Sequence, residues 1–339
     1  MSNQQPLTDV QSATTPPELP NTLINEPVQS NPAPNIQGMG PLQYLIGTWT
    51  NQNLGGTSTG GKYTPYSYNI MPLPTQSASA GYILKNFKYY EEITFSPING
   101  SAPNRGGDYT QNSNVLFYEQ RIYFADGPAK DQLVHAENGA WLFLETQPQK
   151  EGPYASEPTV PHGTIPSQPT SSNIAKQISV PHGNSILAQG AVQGYPNVIQ
   201  PGPVSIPNYP AQVVPSGIDQ SPYSEVSVGN PFPQLNTNPN IPLQQGVADN
   251  PCAHYIHFGV NTENPSAEGS VTNIPFEKQK ANVVDYNANY WLQSFGNEDD
   301  FTQLSYNQTI YMDIPIGGNI VRFPHVTCNT LTKKIADTL

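Results

Sequence analysis

The chain predicts an all-β protein: a barrel of about ten strands, mostly antiparallel and joined up-and-down, with long proline-rich loop insertions. Three observations lead there. Runs of aromatic and β-branched residues recur along the chain with partial or full alternation, as strands with two unlike faces require. No stretch of ten or more residues carries an apolar stripe at helical spacing. The 339 residues include 37 prolines and 27 glycines, with only 11% charged residues and 10% aromatics. That is too aromatic for a disordered chain, yet rich in loop formers.

Residues 1–39 are polar and proline-rich and show neither period, so a disordered leader is expected before one barrel domain spanning 40–335. Pro41 to Ile46 suits one helical turn, and Gly47-Thr48-Trp49-Thr50 a strand entry. Strands are expected next at 86–98, 115–125 and 132–145, the last with Asn138-Gly139 as a bulge or tight turn inside it. Residues 175–180 and 185–192 flank a turn at Pro181-His182-Gly183-Asn184. Further strands follow at 253–260, 270–275, 281–295, 301–315 and 320–331. Leu304, Tyr306, Gln308, Ile310 and Met312 face one way, and Ser305, Asn307, Thr309, Tyr311 and Asp313 the other, predicting one buried and one wet face. Two proline-rich regions break this rhythm, 147–172 and 194–250. The second reads as a long insertion packed over the barrel or serving a partner; a linker between two domains is the alternative.

Charge and composition exclude several classes. The net charge of −12 and the lack of any basic run disfavour nucleic acid. No apolar run reaches the length of a membrane span, and no signal peptide is recognised, so a cytoplasmic protein is expected. Cys252 and Cys328 are 76 residues apart and make neither a disulfide framework nor a CxxC site; one bridge and two buried thiols both remain open. There is no GxGxxG, Walker A or HExxH element.

His325 stands out, because it follows Pro324 inside the apolar run Val321 to Leu331. A neutral imidazole in an apolar wall suits a transition metal or haem iron; a hydrogen-bonded histidine of a barrel wall is the other reading. His135 either points into the cavity or braces Glu137, and His182 sits in a turn. His254 and His257 fall on opposite faces of a strand and chelate poorly together. Glu91 and Glu92 also face opposite ways, which does not support a glycosidase-type dyad. Trp49, Trp141 and Trp291 suit the core, with stacking on a planar cofactor as the alternative. Arg105, in Pro103-Asn104-Arg105-Gly106, either stabilises a turn or meets a cofactor carboxylate.

In chain order, Leu45-Ile46-Gly47-Thr48-Trp49, Tyr90 to Phe95, His135-Ala136-Glu137-Asn138-Gly139-Ala140-Trp141, Pro181-His182-Gly183 with Gln189-Gly190, Tyr306 to Met312, and Phe323-Pro324-His325-Val326 to Leu331 resemble the nitrobindin-like, fatty-acid-binding-protein-like haem barrels. Pro103 to Gly106, Val180 to Gly183 and Asn273-Ile274-Pro275-Phe276 further resemble a longer bacterial and fungal haem-binding branch. The resemblance implies a haem b whose ferric iron is ligated by His325, with His135, Trp49, Trp141 and Arg105 as further cofactor-binding candidates and no catalytic residue assigned. It implies action on peroxynitrite, nitric oxide or peroxide, as a peroxynitrite isomerase or a peroxidase-like enzyme. The partner implied is a small molecule in the barrel, with the homodimer left open. The first strand departs from the family's GxWxGxG, reading Gly47-Thr48-Trp49-Thr50-Asn51-Gln52-Asn53. That departure favours the alternative, a non-catalytic barrel for a small apolar ligand such as a fatty acid.

Overall fold

A computed structural model describes residues 36–52, 68–74, 82–86, 89–104, 109–125, 127–148, 172–208, 238–263, 269–316 and 318–334. A 3-10 helix, Ile36–Leu45, leads into strands β1 (Gly47–Thr50), β2 (Tyr68–Pro74), β3 (Tyr82–Asn86), β4 (Tyr89–Asn104), β5 (Tyr109–Phe124), β6 (Leu133–Pro148), β7 (Ile174–Val180), β8 (Asn184–Val192) and β9 (Gln200–Pro201). Helix α1 (Ile241–Asp249), β10 (His254–Asn261), β11 (Ser270–Asn273), α2 (Pro275–Lys280), β12 (Asn282–Ser294), β13 (Phe301–Ile316) and β14 (Asn319–Lys333) complete it.

Ten of these strands close an antiparallel barrel in the order β1-β4-β5-β6-β7-β8-β10-β12-β13-β14. Closure comes from β1, which pairs β4 along Gly47↔Phe95 to Thr50↔Glu92 and β14 at Trp49↔Lys333 and Thr50↔Thr332. The β2–β3 hairpin joins β14 farther along, at Thr327↔Asn69 and Cys328↔Tyr68. Neighbours in the barrel are mostly neighbours in sequence, as short hairpin connections demand.

Period-2 patterning sets the two faces. On β4, Tyr89, Glu91, Ile93 and Phe95 are buried and alternate with half-buried Tyr90, Glu92 and Thr94. One end of the barrel carries the 3-10 helix. Met39, Leu42 and Leu45 there join Trp49, Phe95, Phe143, Phe301, Leu304 and Leu331 in one apolar cluster. Gly40 has φ +50°, and a Cβ on it would meet the Phe143 ring at 2.5 Å, so glycine is required for the helix to bend onto this cluster. Burying Leu42 and Leu45 fully contributes about 1.5–3 kcal/mol each. The opposite, or turn, end carries the β5–β6, β7–β8 and β13–β14 connections.

Several local expectations need correction. Residues 36–39 of the expected leader belong to the 3-10 helix, and Met39 is buried in the core. Asn138-Gly139 is neither bulge nor turn. It lies mid-strand, in regular register with Glu119 and Tyr118 on β5 and with Ser179 and Ile178 on β7. Gly139 is there for close approach, since a Cβ would lie 1.9 Å from the Gln177 carbonyl oxygen. The expected wet face of β13 is covered: Ser305, Asn307 and Thr309 are at most 2% exposed. Residues 204–206 and 238–252, including the unexpected α1, place Val204, Ile206, Leu243 and Cys252 in a second cluster with Trp291, Val326 and Cys328. Asn307 Nδ2 donates to Asn240 Oδ1 at 2.7 Å, and the Cys328 thiol to the Pro239 carbonyl at 3.3 Å. Both cysteines are buried and neither is in a disulfide. Most of the region 147–172, and residues 209–237 of the insertion, lie outside the described residues. Among the described residues no helix is long and apolar enough to cross a membrane.

Candidate functional site

The inward positions at mid-height are polar, which a barrel wall tolerates only if every group finds a partner. Two carboxylates anchor this belt. Glu91, from β4, accepts from Tyr306 Oη at 2.6 Å, Asn329 Nδ2 at 2.7 Å and Gln120 Nε2 at 2.8 Å. Burial pushes its pKa up to about 7, although those three hydrogen bonds pull the other way. Glu137, from β6, accepts from Tyr118 Oη at 2.6 Å and Lys176 Nζ at 3.2 Å. Burial would raise this second carboxyl too, but the Lys176 charge, His135 and the Tyr118 hydrogen bond outweigh it and lower it to about 2.

Lys176, from β7, is 1% exposed. Its ammonium also donates to Tyr286 Oη and Tyr290 Oη, each at 2.9 Å. Burial would lower its pKa, but Glu137 and the surrounding tyrosines hold it well above the ordinary lysine value. Tyr286 Oη passes the chain on to Gln308 Oε1 at 3.2 Å, and Tyr290 stacks on Tyr306 with centroids 5.3 Å apart, joining the two halves of the belt.

The turn end of the barrel lies beyond the belt. His325 pairs with Ile310 and shares a face of β14 with Asn329, so it sits on the inner wall above the Glu91 cluster. Burial, with a smaller contribution from His135, depresses its pKa to about 4. His135, two residues before Glu137 on β6, holds Nε2 3.8 Å from Glu137 Oε2, and its ring lies 5.8 Å from that of His182 in the β7–β8 turn. Partly buried Ile310 and Met312 flank this end on β13.

The fold thus brings His325, His135 and His182 toward one end, and places the other candidates elsewhere. Trp49 is fully buried at the helix end, its Nε1 donating to the Leu45 carbonyl at 2.7 Å. Trp141 lies in the core, edge-on to Tyr290 at 5.2 Å. Arg105 lies outside the described residues. His257 is on the outside of the barrel, stacked on Trp291 at 5.3 Å and bonded through Nε2 to Asn289 Oδ1 at 3.0 Å. Among the described residues no cluster of three or more His, Cys, Asp or Glu side chains is arranged to hold a metal ion. Two hollows, of about 410 and 290 Å³, lie apart from the three histidines: one beside Tyr44, Asp300 and Lys333, the other along β7, β8 and β11.

Sequence reasoning passed over Lys176, Gln120, Tyr118, Tyr286 and Tyr290. The available signal was phase: Lys176 sits between Ile174 and Ile178, on the apolar side of a strand that otherwise alternates. Searches of protein-family models, curated proteins and solved structures give no match to this chain.

Proposed function

We propose that the protein is a haem-binding barrel in which His325 is the axial ligand of a ferric haem b held at the turn end. One observation carries this reading: an imidazole on the inner wall of β14 near the turn end, on the face it shares with Asn329, where burial pushes its pKa down to about 4. Iron competes with a proton for the imidazole lone pair, so a depressed pKa keeps the ligand available throughout the neutral range. The donor set fits a single axial ligand and does not fit a chelated bare ion, since no three ligating side chains converge among the described residues. The polar belt supports a seat at the turn end over one at mid-height, where charged and tyrosyl side chains already fill the interior. Trp49 and Trp141 therefore act as core residues in this reading, and His135 is the candidate that shares the seat with His325.

When bound, ferric haem would supply an iron able to react with peroxynitrite, nitric oxide or peroxide; isomerisation of peroxynitrite is the activity the family resemblance suggests. The chain's own contribution would be the His325 nitrogen, half-buried Ile310 and Met312 on β13, and the His135 ring on β6. A fatty-acid barrel has less support, because a long apolar chain along the axis would displace the Lys176–Glu137 pair. Haemin titration of the purified protein, followed by absorption beside His325→Ala, tests the reading. A saturable Soret band that disappears in the variant is expected. No band in the unaltered protein would sink it.

A further inference from the structure

We infer that the centre of the barrel is a primary-ammonium binding site, which the chain fills with its own Lys176. This goes beyond the proposed function and is independent of what binds at the turn end.

The geometry has the features of a built ligand site. An ammonium has three N–H donors and no acceptor. Here three acceptors receive them: Glu137 Oε1 at 3.2 Å and the hydroxyls of Tyr286 and Tyr290 at 2.9 Å each. Aromatic faces surround the same nitrogen. The ring centroids of Tyr118, Tyr286, Tyr290 and Trp141 lie 4.9, 5.3, 5.3 and 5.9 Å from Nζ. An anion on one side with π faces around it is the arrangement that recognises alkylammonium ligands. The walls come from three strands, β5, β6 and β12, and the occupant from a fourth, β7, so the cage belongs to the barrel and not to one hairpin. The walls are themselves fixed, Tyr118 by its bond to Glu137 and Tyr286 by its bond to Gln308.

A buried ion pair kept only for structure also needs its remaining N–H donors satisfied, so what separates a binding site from it is whether the emptied cage takes up a free ammonium. The difference is testable. Lys176→Ala removes the ammonium and a propyl stem and leaves the cage, so propylammonium is the missing piece. Thermal unfolding of full-length Lys176→Ala is followed across a propylammonium chloride series, against matched sodium chloride and against propan-1-ol. The expected result is a lowered midpoint that propylammonium alone raises, saturably and by about 4 °C or more, because a ligand that binds only the folded state stabilises it by mass action. Equal rescue by propan-1-ol, or a folded variant that propylammonium does not stabilise, overturns the inference. Should the variant not fold, the unaltered protein decides. With ¹⁵N-labelled lysine, an ammonium held by three acceptors gives a slowly exchanging NH₃⁺ resonance at neutral pH, lost in Lys176→Met if that variant folds. Absence of any such resonance in the unaltered protein overturns the cage.

Discussion

Glu91 and His325 make opposing demands on pH, and removing one exposes the other. The Glu91 carboxyl titrates near 7 in the fold, against 4.5 ordinarily. The folded state thus holds this proton more tightly than the unfolded chain does. Stability from Glu91 is complete below pH 4.5 and lost as pH rises to about 7, a fall worth roughly 3 kcal/mol. His325 titrates near 4, against 6.5 ordinarily. The unfolded chain binds that proton more readily, so His325 costs stability below about pH 4, and the cost disappears as pH rises to 6.5. That gain is of similar size, about 2–3 kcal/mol. Between pH 4.5 and 6.5 the two slopes largely cancel. The unaltered protein should therefore show a nearly flat urea midpoint across that window. Glu91→Gln keeps an amide oxygen for Tyr306, Asn329 or Gln120 and removes the titration. Its midpoint should climb by roughly 1 M urea from pH 4.5 to 6.5, as the unmasked His325 loses its proton in the unfolded chain. His325→Gln should show the reverse, a fall over the same interval. A Glu91→Gln profile parallel to that of the unaltered protein would refute the assignment of Glu91 as a carboxyl that is protonated when buried.

Other substitutions probe the belt and the wall. Glu137→Gln leaves the Lys176 ammonium without its counter-charge and should destabilise by about 3–5 kcal/mol, whereas Glu137→Gln combined with Lys176→Met should recover much of that in a double-mutant cycle measured by chemical denaturation. Gly139→Ala puts a methyl 1.9 Å from the Gln177 carbonyl, so it should part β6 from β7 and cost at least about 2 kcal/mol, with amide exchange rising first in β7. Leu42→Ala empties part of the helix-end cluster and should cost about 2–5 kcal/mol by thermal or urea unfolding. Cys252 and Cys328 should be silent to a thiol reagent in the native protein and titrate as two thiols once unfolded; burial, which raises the Cys252 pKa, keeps its reactive thiolate scarce.

What sequence could reveal here followed from period, and what it could not followed from partners. Strands such as 301–316 announce themselves because Leu304, Tyr306, Gln308, Ile310 and Met312 repeat every second residue. The same alternation cannot say what covers the outer face, and Asn307 reads as wet because its partner Asn240 lies in a segment, 238–250, that carries no helical stripe of its own. The carboxylates show the limit more sharply. Glu91 and Glu92 were correctly assigned to opposite faces, and Glu92 does reach outward to Lys334 at 3.5 Å. Yet the inward Glu91 owes its raised proton affinity to burial, and the Tyr306 and Asn329 donors that temper it lie more than 200 positions away in the chain. The Lys176 cage likewise collects Tyr118, Glu137 and Tyr290 from distant strands, each unremarkable alone. An up-and-down barrel turns such separate inward residues into one layer, since every strand contributes a side chain at each height. In this chain the mid-height layer is polar and mostly bonded, with Glu137 Oε2 and Trp141 Nε1 left over, while the turn end holds His325 and His135 on the walls and His182 exposed in the β7–β8 turn. On the proposed haem reading, substitutions of His325 and His135 should therefore lower haemin binding while leaving the urea midpoint at neutral pH near that of the unaltered protein, whereas substitutions in the mid-height layer should lower the midpoint; equal loss of both at His325 would refute that division.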